Sequence, residues 1–212
     1  MTKGRFIAFE GGEGMGKSTQ SRLLADALEA RGVAVQLTRE PGGTPGAEAI
    51  RTLLLDPPGE GWTKEAEALL FAAARADHVA RFIRPALERG HWVICDRFVD
   101  SSRSYQGVAG ELGDKTVRDL HTIGSDGLLP DMTLVIVAEA AEVDRRLIER
   151  DGGVSDAIGG RAADYHASVN AAFRDFAAQE PDRFALIDGS GSKDDVHARV
   201  LEALSFQLSE GR

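Results

Sequence analysis

Eight residues near the amino end constrain this chain more than any others. Gly11-Gly12-Glu13-Gly14-Met15-Gly16-Lys17-Ser18 fits the pattern G-x-x-x-x-G-K-[ST]. The apolar run Phe6-Ile7-Ala8-Phe9 precedes it, and a helical pattern carried by Leu23, Leu24, Ala27 and Leu28 follows. Buried strand, tight loop and helix are the context a phosphate-binding loop requires; a Gly-rich turn that merely caps a helix is the plainer alternative. In the phosphate-binding reading, backbone N–H groups from Gly11 to Thr19 turn inward around a polyphosphate. Lys17 reaches the β- and γ-phosphates, and Ser18 offers a hydroxyl to Mg²⁺. The helix behind them adds its N-terminal dipole to the same anion.

The rest of the chain alternates. Helix 17–31 is expected to stop at Gly32, and Val33 to Leu37 reads as a second strand, followed by the polar loop Thr38 to Thr44. A short helix covers Ala47–Leu55, and a long one runs from Lys64 to about Glu88. His91 to Cys95 is the next buried strand, and Thr133 to Val137 and Phe184 to Asp188 are further strands. Helices are expected over 140–150, 164–179 and 194–208, with helical patches on either side of Gly110–Gly113. Apolar strands separated by helices predict an α/β fold, a parallel five-stranded sheet covered on both faces. The glycine-rich stretch from Asp151 to Arg161 lies between two helices and suits a lid of about 150–163.

Composition narrows the class. A chain of 212 residues with 42% hydrophobic and 28% charged residues reads as one soluble globular domain, 1–212. No apolar run approaches membrane-spanning length, and the amino end enters a strand with no signal-peptide pattern. The single cysteine, Cys95, fits a reducing cytoplasm and reads as a small buried residue at a strand end. A net charge of −9 argues against a long nucleic acid as partner. It leaves room for a mononucleotide, which needs only a few local cations.

Other charged groups refine the chemistry. Asp96 ends an Ile-Cys-Asp strand, where a magnesium-orienting carboxylate sits in folds of this kind; a turn cap is the plainer alternative. There is no Asn-Lys-x-Asp guanine-reading motif. Several blocks together then resemble bacterial thymidylate kinase: Phe9-Glu10-Gly11, the loop 11–18, Arg39-Glu40-Pro41-Gly42-Gly43-Thr44, Phe71-x-x-x-Arg75 and Asp96-Arg97-Phe98-x-x-Ser101-Ser102-x-x-Tyr105-Gln106-Gly107. The likeness runs in order from first strand to last and is strongest before residue 110. It implies a three-layer P-loop kinase fold, a homodimer, and transfer of the γ-phosphoryl of ATP to dTMP with Mg²⁺, giving dTDP. A kinase for another nucleoside monophosphate, or a nucleotide-binding regulatory protein with weak transfer, are the alternatives.

Residue roles follow from the resemblance. Lys17, Asp96 and Arg97 are implied to be catalytic, with Ser18 and Asp96 at the metal. Phe71 would stack on thymine, a position that otherwise reads as core, and Arg75 would donate to a base oxygen. Arg97 and Arg51 would hold the monophosphate, although Arg51 also reads as a surface residue. Arg39 would order that site, Glu13 would approach the 3′-hydroxyl, and Ser102 and Gln106 would line the sugar and base pocket. Glu10 and Glu40 read as supporting polar groups.

The chain also departs from the family. Gly14 occupies the loop position where one class carries arginine, and Ala157 follows Asp156 where the other class carries it in the lid. Tyr165-His166-Ala167-Ser168-Val169-Asn170 has lost two further arginines. Arg145, Arg146, Arg150 and Arg161 remain as candidates for the missing cation; Arg150 and Arg161, which flank the glycine stretch, are favoured, against the alternative of solvated lid charges.

Overall fold

A computed structural model describes residues 4–139, 143 and 157–205. Strand β1 (Phe6–Glu10) is buried along its whole length. It is the middle strand of a five-stranded sheet ordered β2-β3-β1-β4-β5. The others are β2 (Val35–Arg39), β3 (Trp92–Asp96), β4 (Met132–Val137) and β5 (Phe184–Asp188), and every pairing is parallel. A central parallel strand has helices on both faces, which is why Phe6-Ile7-Ala8-Phe9 is apolar at every position.

Side chains alternate across the sheet and sort into two layers. Ile7, Phe9, Ile94, Leu134 and Ile136 pack on one face with Leu24 and Leu28 of α1 (Lys17–Glu29) and with Val196 and Val200 of the last helix, Lys193–Ala203. Phe6, Ala8, Val93 and Cys95 point the other way, toward Val79, Ile83 and Phe98. Val135 on that face meets Val169, Phe173 and Phe176 of the helix Ala163–Gln179. Cys95 is a buried free thiol, as its strand-end position led us to expect.

Several boundaries differ from those read in the sequence. Strand β2 starts two residues late because Val33 N–H closes on the Leu28 carbonyl, which spends the intervening residues on the helix end. It also runs on through Thr38 and Arg39, so the polar loop begins at Glu40. The helix α2 (Pro45–Leu55) begins two residues early, with Thr44 accepting from Ala47 N–H as its cap. The long helix 64–88 divides into α3 (Lys64–His78), a π-helical turn (Val79–Ile83) and α4 (Arg84–Glu88). Pro85 explains the wide turn, since it has no N–H for the Arg81 carbonyl and its ring presses on that group.

A second π segment, Arg103–Ala109, extends the short helix α5 (Val99–Ser102) and ends before α6 (Asp114–Ser125). The expected helix 140–150 falls outside the described residues but for Val143. The helix Ala163–Gln179, α7 here, falls close to its expected place, and α8 (Lys193–Ala203) begins one residue early, while residues 206–208 of the expected helix lie outside the described residues.

Buried charge as well as apolar packing of Val99 joins α5 to the sheet. Asp100 is fully buried, and it accepts from Arg103 Nη1 at 2.8 Å, Arg183 Nη1 at 2.7 Å and Thr133 Oγ1 at 3.1 Å. Arg103, also buried, reaches Asp114 at 2.7 Å and Glu180 at 2.9 Å, its guanidinium 3.9 Å from the Phe176 ring centre. Burial alone would raise the Asp100 pKa; Arg183 and Arg103 hold it below the ordinary carboxylate value. Removing one member of such a cluster strands a buried charge, which costs about 3–5 kcal/mol. For a chain of this size that is on the order of 10 °C in melting temperature. Asp100→Ala is therefore expected to lower Tm by roughly that amount in a thermal scan. Lys115→Ala, which breaks an ion pair 87% and 60% exposed, should leave Tm within experimental scatter.

Candidate active site

A cleft of 490 Å³ opens at the carboxyl ends of β1, β2 and β3, the edge where open parallel sheets bind ligands. One wall is the loop between β1 and α1. Gly11 has φ +128°, and a Cβ there would stand 2.4 Å from the Ile136 carbonyl oxygen, so the loop can leave β1 only through glycine. Lys17 is buried beneath it, with Nζ donating to the Gly12 carbonyl at 2.5 Å. Burial, aided by Arg97, pulls the Lys17 pKa down to about 7 against the attraction of Asp96, Glu10 and Glu13. The Ser18 hydroxyl donates to the Asp96 carboxylate. A hydroxyl and a carboxylate meeting at the phosphate loop are the hard oxygens Mg²⁺ takes alongside water and phosphate, so the pair fits that ion.

The opposite wall depends on two buried glutamates. Glu10, at the end of β1, accepts from Phe98 N–H at 2.8 Å, Ser101 N–H at 2.9 Å and Ser101 Oγ at 2.6 Å. It thereby satisfies the first turn of α5, whose N–H groups have no helical partner. Burial and the nearby Asp100 raise its pKa to about 7. Arg97 lies in the turn between, with φ 69°, donating to the Gly11 carbonyl at 3.1 Å and Ser101 Oγ at 3.2 Å. Its guanidinium stands 5.3 Å from the Tyr105 ring centre. Burial works against that charge, but Tyr105, Asp96, Glu10 and Glu13 together hold its pKa above the ordinary value.

Glu40, the second glutamate, accepts from Arg75 Nε at 2.7 Å and meets His78 Nδ1 at 2.9 Å, while His78 Nε2 meets Thr38 Oγ1 at 2.8 Å. Arg75 Nη2 donates to Ser102 Oγ at 2.9 Å. This places Arg75, Ser102 and the start of α5 in one rigid unit. Arg51 donates to the Pro41 carbonyl at 2.8 Å, and Arg39 makes two 3.0 Å bonds to Glu48. Both arginines brace the loop 40–44 as well as facing the cleft.

The residues named from the sequence converge closely. Glu13, Gly14, Met15, Gly16, Lys17, Ser18 and Thr19 line the cleft on the phosphate-loop side. Arg39, Arg51, Phe71, Arg75, Asp96, Arg97, Ser102 and Gln106 line the remainder. Gly11 and Gly12 stand one layer back, where their carbonyls take bonds from Arg97 and Lys17. Arg161 is not among the lining residues: it pairs with Glu67 and bonds the Tyr165 hydroxyl. Arg150, Arg145, Arg146 and Asp156 lie outside the described residues. Tyr105, Leu55 and Ile158 also line the cleft and were not singled out as site residues from the sequence. Tyr105 stood inside a quoted block and was legible there; Ile158 follows the family's missing lid arginine and carried no signal. Asn170, where that family has arginine, approaches the loop: its Oδ1 would be 2.9 Å from a Cβ placed on Gly12.

The family model for thymidylate kinase matches residues 9–200. This chain belongs to the thymidylate kinase family. It is 55% identical over 205 residues to the thymidylate kinase of Rhizorhabdus wittichii, covering 97% of this chain and 99% of that one. It is 49% identical over 214 residues to that of Chromohalobacter salexigens, covering 99% of each. The crystal structure of thymidylate kinase from Ehrlichia chaffeensis superposes with a TM-score of 0.75 at 33% identity, over 95% of this chain and 99% of that one. The five-stranded parallel α/β architecture is thus the P-loop kinase fold of this family.

The buried lysine of this family member has a measurable consequence. A phosphate beside Lys17 favours its charged form, so binding must raise a pKa that starts near 7. Triphosphate binding at pH 8 is expected to take up about one proton, and almost none at pH 6. Calorimetric titration in buffers of different ionisation enthalpy measures this. Lys17→Arg, charged throughout, should bind without the uptake.

Proposed function

We propose that this chain transfers the γ-phosphoryl of ATP to dTMP, giving dTDP and ADP, with Mg²⁺ as cofactor. One observation carries the reading: a single cleft is lined by Lys17, Ser18 and Asp96 on one side and by Phe71, Arg75 and Gln106 on the other, with Arg97 between them. The phosphate loop would hold ATP, and the second wall a pyrimidine monophosphate.

An oxygen of the acceptor phosphate attacks the γ-phosphorus. The bond to the β-phosphate oxygen breaks, and its electron pair leaves with ADP. No side chain has to take a proton, so the protein contributes alignment and positive charge. Lys17 turns from the Gly12 carbonyl to the phosphates. Arg97 is held by Gly11 and Ser101 where donor and acceptor halves meet, and its guanidinium fork suits phosphate oxygens. Ser18 and Asp96 would hold Mg²⁺, which neutralises phosphate charge when bound. Phe71 offers a ring face to the base and Arg75 a donor to its carbonyl.

A homodimer in the cytoplasm belongs to the same reading. Ile123 is 84% and Leu69 56% exposed, on the neighbouring helices α6 and α3, and both suit an apolar pairing surface. Among the described residues, no helix is long and apolar enough to cross a membrane.

A coupled assay with separate monophosphates tests the reading. We expect dTMP to be turned over far faster than AMP, GMP or dCMP; equal or faster rates with AMP would overturn it. In the same assay Lys17→Ala and Asp96→Asn should lose mainly kcat, because the charge they address moves in the transition state. Arg75→Ala should raise the KM for dTMP about ten- to a hundredfold while leaving that for ATP nearly unchanged.

A further inference from the structure

Gln106 is buried, lines the cleft with Phe71 and Arg75, and donates from Nε2 to Glu67 Oε1 at 2.8 Å. Glu67 lies on α3, one helical turn before Phe71. Its other oxygen takes Arg161 Nη2. Arg161 Nη1 bonds the Tyr165 hydroxyl, and its guanidinium lies 4.8 Å from that ring centre. The Tyr165 hydroxyl donates to the Tyr105 carbonyl at 2.7 Å, next in the chain to Gln106. The circuit closes on itself: Gln106, Glu67, Arg161, Tyr165, Tyr105.

We infer that Glu67 is a positioning residue that decides which pyrimidines the cleft accepts, by fixing the amide of Gln106 with its carbonyl oxygen toward the base. The inference rests on the acceptor reading above. A primary amide is donor at one end and acceptor at the other, and a half-turn exchanges them. An ionised carboxylate only accepts, so Glu67 binds the NH₂ end and turns the oxygen away from itself. Arg161, bonded to the other oxygen, holds the Glu67 carboxylate in place. Tyr165 holds the backbone beside Gln106, so the amide cannot swing as a whole.

The orientation has a chemical meaning. Thymine and uracil carry N3–H, a donor that an amide oxygen accepts. Cytosine carries a bare N3 lone pair, so two acceptors would face each other. A buried polar group left unpaired in this way rejects a ligand far more strongly than a missing contact does. The 5-methyl group of thymine is not sensed by this device, so dTMP and dUMP should be treated alike by it.

Glu67→Gln tests the assignment, because a glutamine there can donate as well as accept and lets Gln106 turn over. We expect kcat/KM for dCMP relative to dTMP to rise about tenfold or more, chiefly through KM, while the dUMP to dTMP ratio stays within about twofold. Arg161→Met, which loosens Glu67 without replacing it, should move the same ratio in the same direction by less. A residue that merely braced the helices would lower all three rates together. Unmoved ratios in the two variants, or in Arg161→Met alone should Glu67→Gln not fold, overturn the role of Glu67. AMP is assayed with the parent enzyme alongside: preference for AMP sinks the acceptor reading, whereas preference for dTMP with unmoved ratios sinks only this one.

Discussion

Glu10 is out of contact with water at the end of the central strand, and three donors from the turn after β3 and the first turn of α5 converge on it. Strand β1 feeds directly into the phosphate loop, and that turn feeds directly into α5. A single carboxylate therefore sets the distance between the half of the cleft that suits a polyphosphate and the half that suits a pyrimidine. Burial raises its pKa, so the arrangement works against its charge. The donors and Arg97 offset that opposition. The same turn holds Arg97 at positive φ, a conformation that a non-glycine residue keeps only when its surroundings dictate it.

Much of this was legible in the sequence because it obeys local rules. The apolar run at 6–9, the glycines at 11, 14 and 16, and the Lys-Ser pair specify strand, loop and helix with little help from elsewhere. Five strands, their parallel pairing and the convergence of Phe71, Arg75, Asp96 and Arg97 follow from alternation and from the family blocks. The boundaries that moved did so through interactions no local rule contains. Val33 is a good strand residue by composition, yet its N–H is used by the end of α1. Thr38 and Arg39 look like loop residues, yet they pair with Cys95 and Asp96.

Long-range charge was the least legible part. No motif in the sequence ties together Arg103, Asp114, Glu180 and Arg183, which span some eighty residues of the chain. In the fold Arg103 is buried among carboxylates, and Asp100 is the centre of the cluster. Arg161 is a similar case. Its place beside the glycine stretch suggested a phosphate, whereas its guanidinium is engaged by Glu67 and Tyr165. Spacing along a chain gives the reach of a long side chain, but not which of several anions it will find.

The wide turn at Arg103–Ala109 carries a further consequence. Ser102 precedes it and Gln106 sits within it, yet both face one cleft. Each residue of a helical turn is rotated about the axis relative to the one before it, so one amino acid more or fewer between Ser102 and Gln106 would turn the glutamine away from the face it shares with the serine. Drift by exchange of side chains leaves that phase intact, whereas a lost or gained codon does not. Exposed positions of the segment can change without moving Gln106, but its length is fixed by the angle between a serine and a glutamine.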